Sequence, residues 1–286
     1  MRQVESQNAE SQEVESQELE SQDLESDAAL LMKSLIICAD DYALSPAVSL
    51  GIRKCLAAGR VTATSAMTNR PSWPQAAREL RAMSGTFEVG LHLNLTCGEP
   101  LGEMQGLAPG GSLPDARALM RSKAPQAEIR SEIIRQLQAF HTHMGRWPDF
   151  LDGHQHVHVL PNVRAALWQA LADLDLKGQL WLRNSSDRLA RILIRGVQVK
   201  KALIVKALAR GFAKEAERHG FETNDSFAGF SAFDVNGNYA SDFARYLKAP
   251  GKHHLIMCHP GYVDDELRAA DTLQEARVRE LEFFTQ

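Results

Sequence analysis

The spacing of hydrophobic and polar positions changes along this chain in a regular way. Short apolar runs read as strands: "SLIIC", "ATSAM", "FEVGLHLNLT", "DFLDGHQHVHVLP", "LWLR", "SFAGFSAF" and "HHLIMCHP". Between most of them lie stretches whose apolar residues recur at helical spacing. These are Pro46 to about Ala58, "WPQAARELRAM", "QAEIRSEIIRQLQAFHTHM", a segment after Pro161, a long basic and apolar run over about 198–219, and a last one from about Asp271 to Phe284. The punctuation agrees: Ser45 and Pro46 suit a cap and a first turn, and Gly59 stands just past the end of that helix. Strands alternating with helices predict a parallel sheet wrapped by helices, open or closed into a barrel. In such folds ligand sites lie at the carboxyl ends of the strands.

The pattern is absent from residues 1–31. There a Glu-Ser-Gln unit recurs with Glu5, Glu10, Glu15, Glu20 and Glu25 in step, a period that matches neither a helix face nor a strand face. Nine acidic residues against Arg2 give this segment a charge of −8, which leaves +4 for the rest of a chain whose net charge is −4. So little apolar surface cannot offset the entropy of ordering, which predicts a disordered acidic tail over 1–31 and one folded domain over 32–286. Met32, directly before the first strand, is a candidate alternative start. At 286 residues and 44% hydrophobic, the chain can bury one large core. Its charge balance argues against a nucleic-acid partner. No apolar run reaches the roughly 18 residues of a transmembrane span, and no basic-then-apolar leader opens the chain. The four cysteines form no CxxC pair, so free thiols and a cytoplasmic location are expected.

Chemistry-bearing residues gather at the strand ends. Asp40 and Asp41 close the first strand, and His92 lies in the third. Asp152, His154, His156 and His158 follow the fourth apolar segment, and His259 follows a late one. On an extended strand, alternation puts Asp152, His154, His156 and His158 on one face, and His92 on a face with Asn94 and Thr96. Four titratable groups on one face need solvent, partners or a metal. His and Asp are common ligands of catalytic divalent ions. Adjacent aspartates point to opposite sides of a strand, so one can bind metal while the other serves as a base on water. An Asp pair also reads as a turn or a cap, a role Ser45 fills better. His141, His143, His219, His253 and His254 read as scattered on helix faces and strand starts.

The stretches "ADDYALSPAV", "VGLHLNLT", "DGHQHVHVLP" and "MCHPGYVD" resemble, in order and spacing, the motifs of the YdjC-like carbohydrate deacetylases, from about Leu35 to the C-terminus. The resemblance implies an irregular, TIM-like (β/α) barrel that hydrolyses the acetyl group from an N-acetylated amino sugar. It implies Asp41, His92 and His154 as metal ligands, Asp40 as general base and His259 as general acid. Asp152, His156, His158, Asn94 and Tyr42 become supporting or sugar-contacting positions, with Trp73 and Trp147 as further stacking candidates that packing explains equally well. Tyr42-Ala43 stands where the family commonly has Phe-Gly, and Gln155 stands where it often has a histidine. The resemblance implies Mg²⁺, whereas the ligand types also suit Zn²⁺, and a homodimer is a family-level expectation. A metal-dependent phosphoesterase, disfavoured by the few carboxylates, and a non-catalytic sugar-binding barrel are the alternatives. The segment from Asp187 to His219 reads foremost as an amphipathic packing helix, with a membrane-near surface or a lid as the other readings. The sugar stays open between chitooligosaccharides and lipid- or hopanoid-linked N-acetylglucosamine.

Overall fold

The computed structural model describes residues 35–234 and 236–286; the acidic segment over 1–31 and Met32 lie outside them. Seven strands form one sheet: β1 (Leu35–Tyr42), β2 (Ala63–Ala66), β3 (Glu88–Leu93), β4 (Phe150–Gly153), β5 (Trp181–Leu182), β6 (Ser226–Ala228) and β7 (His254–Cys258). Their spatial order is β5-β4-β3-β2-β1-β7-β6, with parallel pairing from β1 through β5 and between β6 and β7. Helices fill the connections: α1 (Pro46–Ala57), α2 (Trp73–Arg81), α3 (Ala116–Arg121), α4 (Gln126–Met144), α5 (Pro161–Asp173), α6 (Leu189–Arg195), α7 (Val199–Leu208), α8 (Phe212–Arg218), α9 (Tyr239–Tyr246), α10 (Asp265–Ala270) and α11 (Glu275–Thr285).

The strand order is that of a (β/α) barrel opened between β5 and β6. The irregular, TIM-like barrel expected from the resemblance is met in part: the described residues make a curled, half-barrel sheet, and no closed ring of strands is found among them. At the seam a single bridge joins Leu182 to Thr223. Beyond it side chains replace the ladder: the Asn184 N–H donates to Asn224 Oδ1 at 2.7 Å, and Asn224 Nδ2 donates back to the Asn184 carbonyl at 3.0 Å. β5 and β6 are two and three residues long, too short to carry more pairs.

Local signals placed most elements. Ser45 accepts from the Val48 N–H at 3.3 Å, and Pro46 opens α1. Gly145, at φ +75°, ends α4 in the left-handed conformation that glycine adopts without penalty. Gly51 of α1 lies against Gly261, after β7: a Cβ on Gly51 would come within 2.7 Å of the Gly261 Cα. That contact draws the chain after β7 onto α1, next to the end of β1.

Three expectations are corrected. The "DGHQHVHVLP" stretch is not an extended strand, because β4 stops at Gly153 and residues His154–Val159 form a tight 3₁₀-like turn. The run over 198–219 is not one helix: Gly211, at φ +83°, separates α7 from α8. Nor do α6 and α7 act as packing helices, since α7 buries only Ala202 and α6 only Ile192 and Arg195. Among the described residues no helix is long and apolar enough to cross a membrane.

Candidate active site

β1 continues through both aspartates, and its register with β2 shifts between Ala39 and Tyr42. Asp41 sits at φ +70°, a left-handed conformation that Asp tolerates better than most residues. The bulge undoes strict alternation and re-aims the side chains. Both carboxylates therefore face one cavity, not opposite sides of the sheet.

Asp41 Oδ1 lies 2.9 Å from His154 Nδ1 and 3.2 Å from His92 Nε2. Ligand atoms of these three residues all lie within 4.8 Å of one another. Bonds of about 2.0–2.2 Å to a shared ion would set neighbouring donors roughly 3–3.5 Å apart, and the two Asp41 contacts fall near that range. His92 comes from the buried end of β3. Its Nδ1 is engaged by Asp152 Oδ1 at 2.6 Å and lies 3.0 Å from Ser65 Oγ. That support fixes the ring and leaves Nε2 facing Asp41, the arrangement that orients a metal-ligating histidine. Burial alone would lower the His92 pKa, yet Asp152, Asp41 and Asp40 raise it to about 10. Such surplus negative charge suits a bound cation, so these residues fit a divalent ion.

Cys38, Asp40 and Asp152 also converge closely enough to suggest metal ligands, but a cation is already in place there. Arg183, fully buried just after β5, donates from Nη1 and Nη2 to the two oxygens of Asp40, each at 2.6 Å, and pairs with Asp152. Burial opposes ionisation of Asp40, and Arg183 outweighs it, holding the carboxyl well below the usual range. Asp41 is held low in the same sense: burial opposes, while Arg277 Nη2 donates to Oδ2 at 2.7 Å and the histidines add to the effect. Arg277, on α11, also reaches Asp271 Oδ2 at 2.7 Å. Sequence reasoning missed both arginines. "LWLR" ends a strand, so the strand-end rule could have found Arg183. Nothing in the pattern of α11 marks Arg277.

His259 follows β7 and lines the same cavity. Its N–H donates to Glu280 Oε2 at 2.5 Å, and its ring meets the edge of Phe233. Burial lowers its pKa below 6.5 even though Asp41 and Asp40 favour the charged form. Burial also raises the Glu280 carboxyl to about 7.

The other sequence-predicted positions scatter. Gln155 and His156 take φ +52° and +60°, so the three histidines leave the chain in different directions. His154 faces Asp41. His156 packs edge-on against Phe227 and Phe230 on the cavity wall, and burial lowers it to about 3. His158 lies beneath, its Nε2 2.8 Å from the Arg183 carbonyl, and burial lowers it too to about 3. Asn94 shapes the loop after β3: it bonds Asn69, the Cys97 carbonyl and the Thr96 and Cys97 N–H groups. Tyr42 is buried with its hydroxyl donating to the Ala76 carbonyl at 2.8 Å. Neither Asn94 nor Tyr42 lines the cavity. Trp73 is buried against Phe140 and Trp147 rests on His141, so packing accounts for both.

The cavity measures about 660 Å³. Its lining includes Asp40, Asp41, His92, His154 and His259, the polar Asp271, Thr272, Gln274 and Glu275, and the apolar Ile204, Val205, Phe230 and Phe233 with Lys201 among them. The carboxylates and imidazoles of this lining can hold a cation, and its apolar part can admit a ligand with a polar head.

Residues 34–286 match the family model described as YdjC-like protein. The chain is 39% identical to a chitooligosaccharide deacetylase of Salmonella paratyphi B, over 88% of this chain and 90% of that one. It is 31% identical to the mouse carbohydrate deacetylase (80% and 78%) and 30% identical to the carbohydrate deacetylase of Geobacillus stearothermophilus (87% and 88%). Its backbone superposes on the crystal structure of a proposed cellobiose-phosphate cleavage protein from Enterococcus faecalis V583 with a TM-score of 0.66, over 88% of this chain and 90% of that one. At 24% identity that likeness bears on the fold alone. On its matched span and its relatives, this chain belongs to the YdjC-like protein family.

Proposed function

We propose that this chain is a metal-dependent carbohydrate N-deacetylase, which hydrolyses the acetamide of an N-acetylated amino sugar and releases acetate. The observation that carries the proposal is the convergence of Asp41, His92 and His154 at a cavity that Asp40 and His259 also border. The relatives named carbohydrate and chitooligosaccharide deacetylase support it.

A divalent ion held by Asp41, His92 and His154 would supply Lewis acidity toward the acetamide carbonyl and toward water. Asp40 is the proton acceptor. The two Arg183 contacts fix its carboxylate in one orientation and keep it ionised, so it is ready without rearrangement. His259 supplies the proton that the departing amine needs. Neutral at rest, it must first acquire that proton, and the nearby carboxylates favour its charged form. Asp152 holds the His92 ring. Two imidazoles and a carboxylate suit Zn²⁺ or another transition metal, while the family resemblance favours Mg²⁺. The four unpaired cysteines support a cytoplasmic location.

The test is acetate release from free and lipid-linked N-acetylglucosamine compounds, with Mg²⁺ or Zn²⁺ and with chelator. Metal-dependent acetate is expected. Release of phosphate from phosphorylated sugars instead would select a phosphoesterase, and no acetate from protein that retains metal would overturn the proposal.

A further inference from the structure

The surface of α6 and α7 contradicts the rule that an apolar helical stripe faces the core. Among the described residues nine large hydrophobic side chains are exposed, and five of them fall here: Leu189, Leu193, Ile194, Leu203 and Ile204. On α7 the residues Lys200, Leu203, Ile204 and Ala207 recur at i, i+3, i+4 and i+7 and all are exposed. Leu203, Ile204 and Ala207 thus turn apolar surface outward, with Lys200 one turn before them. The underside is anchored: Arg195 donates to Asp187 Oδ2 at 2.6 Å and to the Phe227 carbonyl at 2.8 Å. The patch is thus built into the fold and does not arise from a loose segment.

Charge identifies the occupant. From Arg188 through Lys214 the chain carries eight Lys and Arg residues and no Asp or Glu, although its net charge is −4. Arg188, Lys200, Arg210 and Lys214 are exposed and form no ion pair among the described residues. Exposed Leu and Ile ringed by unpaired basic residues match the surface of a helix that lies in a bilayer interface and is drawn to anionic lipid. A second copy of this face is a poor occupant, because a two-fold contact would set like charges against each other. The cavity opens on the same side: Ile204 belongs both to the exposed stripe and to the cavity lining, with Lys201 and Val205 beside it.

We propose that α6 and α7 form a docking surface for an anionic lipid bilayer, and that docking sets the cavity mouth against the membrane, where it meets an N-acetylated sugar carried on a lipid. The identity of the sugar rests on the deacetylase reading; the docking does not.

The experiment is sedimentation of the purified full chain with phosphatidylcholine vesicles, with and without phosphatidylglycerol. The chain is expected to partition onto the anionic vesicles and to do so less at high salt. Lys200→Glu with Arg210→Glu should lower the partition coefficient by on the order of tenfold or more. Leu193→Ser with Ile194→Ser and Leu203→Ser should abolish the salt-resistant fraction, and Leu50→Ser, at an exposed position on α1, should change nothing. None of these side chains lines the cavity, so turnover of a soluble acetylated sugar stays at its wild-type value and certifies the fold; circular dichroism does so if no sugar is turned over. Absence of vesicle binding, or binding that the Leu and Ile substitutions leave intact, would overturn the docking. So would a dimer in size-exclusion chromatography that the same substitutions dissociate, since the face would then be a contact between copies. Acetate release plays no part in these outcomes, so the two proposals fail separately.

Discussion

Asp40 and Asp41 are neighbours in sequence yet answer to different cations. Asp40 is clasped by Arg183, and Asp41 divides its oxygens between Arg277 and two histidines. That division predicts different losses. Asp41→Asn removes a charged donor from the proposed ligand set, so metal content and turnover should fall together when the purified variant is assayed by elemental analysis and for acetate. Asp40→Asn leaves the donor set whole, so metal content should persist while kcat falls about 10²–10⁴-fold, the usual worth of a positioned base. Near-wild-type turnover by Asp40→Asn would remove that residue from the mechanism. Arg183→Met tests the support beneath both. It leaves Asp40 and Asp152 buried without their shared cation, and breaking a buried pair this way costs about 3–5 kcal/mol, readable as a lower urea midpoint.

At the scale of elements, the turn after β4 decides which histidine meets Asp41. Gln155 and His156 both hold positive φ, and neither is glycine. Gln155 is exposed, so its substitution probes the backbone with little change in packing. Gln155→Val puts a β-branched residue in the left-handed region and should destabilise by on the order of 1–2 kcal/mol. Gln155→Gly should be close to neutral, because relief of strain and added freedom in the unfolded chain oppose each other. Equal unfolding midpoints for the two variants would mean that the turn stores no strain. The same turn marks the limit of what the sequence made legible. Strand positions, the α1 cap and the polar residues at strand ends could be read because each depends on local spacing. Alternation then placed His154, His156 and His158 on one face, which holds only while the chain stays extended. The Asp41 bulge and the left-handed pair Gln155-His156 break that condition, and no residue type in "DDY" or "HQH" announces either. Arg277 was illegible for another reason: it reaches Asp41 from a helix 236 residues further along the chain, a distance no periodicity spans.

Across the whole molecule, two buried histidines tie the short edge strands and make the fold sensitive to acid. His158, lowered to about 3 by burial, supports the Arg183 carbonyl after β5. His254, lowered to about 4 chiefly by burial and next by Arg195, lies in β7 within 2.8 Å of Ser226 Oγ in β6 and 2.9 Å from the Tyr246 carbonyl. An unfolded histidine titrates near 6.5, so below that pH the unfolded chain binds protons that the folded one refuses. The stability that depends on these two histidines is therefore full above about pH 6.5 and is lost as pH falls toward the folded values, with a slope of up to about 1.4 kcal/mol per pH unit for each group. Asp40 and Asp41, whose folded values are depressed, lose their contribution only below about pH 4, where free carboxylates titrate; Glu280, raised to about 7, works in the opposite sense as pH falls toward about 4.5 and offsets one histidine, while His92, raised to about 10, adds nothing further below about 6.5. Thermal unfolding followed from about pH 7.5 to 4.5 should show Tm falling below about 6.5. His254→Gln cannot take up a proton and should flatten that fall while lowering Tm at neutral pH, where the imidazole bonds are lost. A Tm that stays level across the window in the wild-type chain, or falls as steeply in the variant, would show that the β6–β7 edge is not where acid attacks the fold.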